Sequence, residues 1–127
     1  MEPRILVADD AVFMRQIICE ILRKYGFSNL MEVKSGEEAI ALYRKEHPDL
    51  VLLDIIMPDM SGIEVLKELL KIDSTANVVM CSALGDEKMV LQCILNGAAE
   101  YIVKPFSEET LMNAVDGCLQ HFLERGE

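Results

Sequence analysis

The chain has 127 residues, 51% of them hydrophobic, enough for one domain with its own core and too few for two. Against 12 lysines and arginines stand 22 acids, a formal net charge of −10 that argues against nucleic acid as a direct partner and favours cations and basic surfaces. No apolar run reaches signal-peptide or membrane-spanning length, so no membrane partner is expected and a cytoplasmic monomer is the default.

In chain order, Ile5-Leu6-Val7-Ala8 is a short apolar run ending in Asp9-Asp10. From about Ala11 to Tyr25, Phe13, Met14, Ile17, Ile18, Ile21 and Leu22 keep a helical period, and Gly26 supplies a left-handed stop. Leu30-Met31-Glu32-Val33 is a weaker strand candidate. Ser35 and Glu38 have the form of a capping box, opening a helix through Ala39, Leu42 and Tyr43 that must end before Pro48. Leu50-Val51-Leu52-Leu53 reads as a strand buried on both faces and closed by Asp54. Pro58 and Gly62 then force a loop that presents Asp54 at the edge of the sheet. Taken alone, Asp54 reads equally well as the cap of a loop.

Ser61 and Glu64 repeat the capping arrangement, and Val65, Leu66, Leu69 and Leu70 carry the helix after them. Val78-Val79-Met80-Cys81 is a fourth strand with Ser82 at its end. A helix led by Asp86 runs to about Asn96 and stops at Gly97. Glu100-Tyr101-Ile102-Val103 is a fifth strand ending in Lys104-Pro105, and Ser107 opens a last helix with Leu111, Ala114, Val115, Cys118, Leu119 and Phe122. The cysteines Cys19, Cys81, Cys93 and Cys118 lack C-x-x-C spacing, sit within apolar patterns and read as small core residues in a reducing compartment.

Strand and helix thus alternate five times, which predicts an α/β fold: a parallel sheet covered by helices on both faces. Ligands of such sheets bind beyond the carboxyl ends of the strands. Asp9, Asp10, Asp54, Ser82 and Lys104 all fall at such ends, so they share one rim. Three carboxylates that close repel by about 4 kcal/mol per pair at roughly 4 Å and an effective dielectric near 20, so positive charge must compensate. Lys104 offers one charge; acid oxygens without imidazole or thiolate point to a hard divalent ion, Mg²⁺ in preference to Ca²⁺. An aspartate beside Mg²⁺ and an ammonium is equipped to attack phosphorus. The competing reading is a solvated acidic rim paired to Lys104.

These residues, in this order and spacing, resemble the receiver domain of two-component response regulators along nearly the whole chain. The likeness rests on Asp9-Asp10, on Asp54 followed by Met57-Pro58-Asp59-Met60-Ser61-Gly62, on Ser82-Ala83, and on the run from Gly97 to Phe106 that contains Lys104-Pro105. It implies a doubly wound, flavodoxin-like five-stranded sheet of order 2-1-3-4-5, the order of the single-domain chemotaxis regulators it resembles. It implies that Asp54 accepts a phosphoryl group from a histidine kinase. Asp10, Asp54 and the backbone carbonyl of Ile56 would bind Mg²⁺, with Asp9 acting through water. Lys104 and Ser82 would contact the phosphoryl group, Ser82 and Tyr101 would form a coupled switch, and the Lys104-Pro105 bond would be cis. Taken alone, Ser82 reads as an ordinary strand-end serine and Tyr101 as packing.

Ile56 and Leu84 occupy positions that tune phosphate lifetime in the family, and neither side chain can orient a hydrolytic water. A slowly hydrolysing phosphate served by an auxiliary phosphatase is the expectation. The last helix uses the chain to Glu127, so no effector domain is expected and output leaves through the receiver's own surface. The helix after Asp86 carries more apolar residues than one buried stripe needs. Met89, Val90, Cys93 and Tyr101 are therefore the expected output face, on the fourth helix, fifth strand and fifth helix. The local wording is most similar to chemotaxis regulators that bind a flagellar switch protein; another output protein, or a phosphorelay exchange with a histidine phosphotransfer protein, is the alternative. A phosphohydrolase of the haloacid dehalogenase type would need an acid where Ile56 stands. The acidic Asp9-Asp10-Ala11 turn argues against flavin phosphate.

Overall fold

The computed structural model describes residues 2–124, with side chains described through residue 120. Ten elements alternate along the chain: β1 (Ile5–Ala8), α1 (Val12–Lys24), β2 (Leu30–Val33), α2 (Gly36–Glu46), β3 (Leu50–Leu53), α3 (Gly62–Ile72), β4 (Val78–Ser82), α4 (Glu87–Leu95), β5 (Glu100–Val103) and α5 (Glu108–Glu124). The side chain of Phe122, expected on the last helix, lies outside the described residues, as does Glu127.

All strands run parallel in the order β2-β1-β3-β4-β5. Ala8 pairs in register with Leu53 and with Val33, which brings the carboxyl ends of β1 and β3 level. Successive strand residues point to opposite faces, and the core divides accordingly. Leu6, Ala8, Val51, Leu53, Val78 and Met80 pack with Ala39, Tyr43, Leu66, Leu69 and Cys93 from α2, α3 and α4. Ile5, Val7, Leu50, Leu52, Val79 and Cys81 pack with Ile18, Leu22, Leu111, Val115 and Leu119 from α1 and α5. Each fully buried leucine or isoleucine among them contributes about 1.5–3 kcal/mol of transfer free energy.

The helix ends follow their local chemistry, with one correction. Ser61 and Glu64 form the reciprocal capping box at the start of α3. At α2 only half of the box forms: Ser35 accepts from the Glu38 N–H, while the Glu38 carboxylate reaches one residue further back, to the Lys34 N–H at 3.0 Å. Gly26 and Gly97 take the left-handed φ values of 97° and 105° that end α1 and α4. His47, with φ 45°, turns the chain out of α2 ahead of Pro48.

Candidate functional site

The carboxyl ends of β1, β3 and β5 hold the charged groups. Asp9 is fixed from several directions: its N–H donates to the Val33 carbonyl at 3.1 Å, its Oδ1 accepts from the Ala11 N–H at 2.9 Å, and its Oδ2 accepts from Lys104 Nζ at 2.6 Å. Asp54, one residue beyond β3, accepts from Lys104 Nζ at 3.0 Å through Oδ2 and from the Ile56 N–H at 3.2 Å through Oδ1. The Lys104 N–H donates to the Ser82 carbonyl at 2.9 Å, so the β4–β5 ladder itself carries the lysine to the two acids. Its ammonium therefore bridges acids from two strands.

Asp54 is buried, with 7% of its surface exposed, and is not presented at the sheet edge as its sequence position suggested. The physical reason is Lys104: an ammonium at hydrogen-bond distance offsets much of the desolvation that a lone carboxylate would suffer. Burial by itself would lower the Lys104 pKa, but the hydrogen bonds and charges of Asp9 and Asp54 outweigh it, and the pKa lies above its ordinary value. Beneath them, burial pushes the Cys81 thiol up to about 12, the Lys104 charge opposing and the two carboxylates adding, so it is an inert core residue.

Asp10 is exposed, and one carboxylate oxygen from each of Asp9, Asp10 and Asp54 lies within 4.8 Å of the others. The donor set is all hard oxygen, which fits a Mg²⁺-type ion and not a thiophilic one.

The β3–α3 loop folds back tightly over this site. The Gly62 N–H donates to the Ile55 carbonyl at 2.7 Å, and a Cβ on Gly62 would overlap the Asp54 carbonyl oxygen and come within 2.6 Å of the Ile55 Cα. Only glycine fits there. Asp59, in the same loop, accepts from the Gly36 N–H at 2.9 Å and the Glu37 N–H at 2.8 Å, tying the loop to the start of α2. Nothing in the sequence marks Asp59 for this role, because an acid in a loop carries no signal of which distant helix it caps.

Ser82 lies inside β4, fully buried, and its hydroxyl accepts from the Leu84 N–H at 3.3 Å. Tyr101 is half-buried against the core, and its hydroxyl donates to the Leu84 carbonyl. Burial raises the Tyr101 pKa. Ser82 and Tyr101 thus engage the two ends of the same residue in the β4–α4 loop. Ile56 and Leu84 are exposed large apolar side chains. The Lys104-Pro105 bond is cis.

The expected output face needs correction at Cys93, which is fully buried and packs into the core with Met89 beside it. Met89 and Val90 are half-buried. Residues four apart share a helix face, so Met89 and Cys93 form the inner stripe, and Leu91 and Leu95 stand on the outer one with Ile94 alongside. Leu95, at 76% exposure, is the most exposed large apolar side chain among the described residues; Val103 of β5 is also exposed, beside Gly85 of the β4–α4 loop. That Leu91 and Leu95 are the ones facing outward escapes a reading of the sequence, because α4 is apolar nearly all round and gives no phase.

Comparison with known proteins agrees with this geometry. A family model described as the response regulator receiver domain matches residues 5–116. The chemotaxis protein CheY of Bacillus subtilis is 45% identical over 119 residues, covering 94% of this chain and 99% of that one. The chemotaxis protein CheY of Thermotoga maritima is 41% identical over 116 residues, covering 91% of this chain and 97% of that one. Among solved structures, a chain of the CheX–CheY–BeF3–Mg²⁺ complex from Borrelia burgdorferi superposes with a TM-score of 0.87 at 36% identity, covering 90% of this chain and 87% of that one.

Proposed function

The chain belongs to the response regulator receiver family, whose members are phosphorylation-switched signalling modules, and on that premise we propose that Asp54 is its phosphoacceptor. The observation that supports this most is the convergence of Asp9, Asp10 and Asp54 within 4.8 Å beneath the Lys104 ammonium. In the proposed step an Asp54 carboxylate oxygen attacks phosphorus, and the bond from phosphorus to the donor breaks. The electron pair leaves with the donor, the imidazole nitrogen of a phosphohistidine when that donor is a histidine kinase. The product is an acyl phosphate on Asp54.

Asp10, Asp54 and the Ile56 carbonyl, with Asp9 beside them, are the groups that would hold Mg²⁺, which supplies positive charge against the phosphoryl oxygens. Lys104 is the resident cation and passes from bridging Asp9 and Asp54 to pairing with the phosphoryl group. The Ser82 hydroxyl turns from the Leu84 N–H to donate to a phosphoryl oxygen. Because Tyr101 holds the Leu84 carbonyl, that turn releases a loop that both residues restrain, and the α4–β5 surface changes with it. This is a two-state element of the kind that couples two sites by about 1–3 kcal/mol.

Chemotaxis is the setting that the CheY relatives support. The exposed apolar stripe of Leu91, Ile94 and Leu95 is the surface proposed to meet a flagellar switch protein. Among the described residues no helix is long and apolar enough to cross a membrane, and a cytoplasmic site of action is proposed with the rest. The Borrelia relative assembles with CheX in the presence of Mg²⁺, which supports an auxiliary partner protein for this chain too. Exposed Ile56 and Leu84 offer a hydrolytic water no polar group, so that partner is proposed to be a phosphatase.

Intact mass after incubation with a small phosphodonor and Mg²⁺ tests the assignment. The native chain gains one phosphoryl group and Asp54→Asn gains none; equal gain by both would place the acceptor elsewhere.

A further inference from the structure

The acidic turn between β1 and α1 has an unusual support, whose role depends on the cation site proposed for Asp9, Asp10 and Asp54. Helix α1 opens on Ala11, which has no side-chain oxygen to cap it, and no acid stands in its first turn. Instead Arg15, one turn further on, folds back. Its Nη1 donates to the backbone carbonyl of Asp9 at 2.5 Å, and its Nε donates to Glu32 Oε1 at 3.3 Å. The Arg15 side chain is only 13% exposed. Withdrawing a guanidinium that far from water is unfavourable unless its fork finds fixed acceptors, and here it finds two.

The carbonyl that Arg15 holds belongs to the peptide joining Asp9 to Asp10. That unit is planar, so fixing its oxygen also fixes the Asp10 nitrogen and the direction in which Asp10 leaves the strand end. Asp9 has its own restraints in Val33, Ala11 and Lys104. Asp10 is exposed, and its carboxylate is placed through its backbone. Glu32 is itself anchored, since it pairs in register with Val7 in the β1–β2 ladder. The chain of contacts therefore runs from β2, through Glu32 and Arg15, to the one peptide on which the orientation of Asp10 depends.

We infer that Arg15 is a positioning residue for the cation site: held by Glu32, it locks the Asp9–Asp10 peptide and so sets the Asp10 carboxylate. It touches no reacting atom and acts through Asp10. Charge alone would be kept by lysine, whereas the two-acceptor fork would not.

The test is calorimetric titration with MgCl₂ of the native chain, Arg15→Ala, Arg15→Lys, Glu32→Gln and Asp10→Asn, each checked for a cooperative melt. Outer contacts of this kind are worth about 10- to 100-fold in metal affinity, so Arg15→Ala is expected to weaken Mg²⁺ by about tenfold. Arg15→Lys and Glu32→Gln should each fall between it and the native chain. Phosphorylation by a small phosphodonor at saturating Mg²⁺ should recover to within about threefold of native, a split that general loss of structure would not give. Native-like Mg²⁺ affinity in Arg15→Ala overturns the inference. Should that variant not fold, native-like affinity in both Arg15→Lys and Glu32→Gln overturns it equally. If the native chain takes up no Mg²⁺, the proposed cation site falls and the inference with it; if Asp10→Asn alone loses Mg²⁺, the cation site stands and the role of Arg15 does not.

Discussion

On the proposed reading, Ile56 and Leu84 set how long a phosphoryl group on Asp54 would last. Both side chains are exposed beside the acids, and neither can accept or donate a proton, so attacking water has no partner at either position. A polar side chain in place of Ile56 should supply one. Ile56→Asn is expected to shorten the unaided half-life of the acyl phosphate by about tenfold, a modest share of what a positioned proton acceptor achieves. Following loss of the phosphoryl mass with Mg²⁺ present measures this; a native half-life of a few seconds, or no change in the variant, would count against an auxiliary phosphatase. At this scale the sequence was informative for a definite reason. Strand-end acids and a strand-end lysine announce themselves by ending apolar runs, so Asp9, Asp10, Asp54 and Lys104 could be placed on one rim. What spacing does not carry is depth. The burial of Asp54 follows from an ammonium 3.0 Å away on another strand, and Arg15 reads from sequence as one more polar position on an amphipathic helix.

Among the elements, the loop after β3 and helix α2 are joined by Asp59, whose carboxylate accepts two N–H groups at the start of that helix. Those bonds hold its pKa below the usual carboxylate value. A carboxylate with a lowered folded-state pKa contributes stability that is present above its unfolded value and lost as pH falls through the folded one. Asp59→Asn should therefore be less stable than the native chain at neutral pH, and the gap should narrow as pH falls below the ordinary carboxylate range. Urea unfolding at a series of pH values reads it, and a gap that stayed constant or widened toward acid would contradict the capping role. The elements themselves were legible because strands and helices announce different periods, and Gly26, Gly97, Pro48 and Ser61 mark their ends. Helix α4 was legible as a helix but not in rotation. With Met89, Val90, Leu91, Cys93, Ile94 and Leu95 all apolar, only packing shows that Cys93 faces inward and Leu95 outward.

For the whole molecule, one sheet brings acids from β1 and β3 and a lysine from β5 to a single end, and a net charge of −10 leaves that end in need of cations. Two core layers, one per face, hold the strands in register, and the register sets the spacing on which the proposed chemistry depends. The most direct measurement is to locate the phosphoryl group. Borohydride reduces an acyl phosphate to the alcohol, so a phosphorylated aspartate becomes homoserine at its own position and can be mapped by peptide mass. After a small phosphodonor with Mg²⁺, homoserine is expected at position 54 and nowhere else, and it should vanish when the metal is chelated. Homoserine at Asp9 or Asp10, or the same yield at Asp54 without Mg²⁺, would contradict a metal-assisted phosphoacceptor at Asp54.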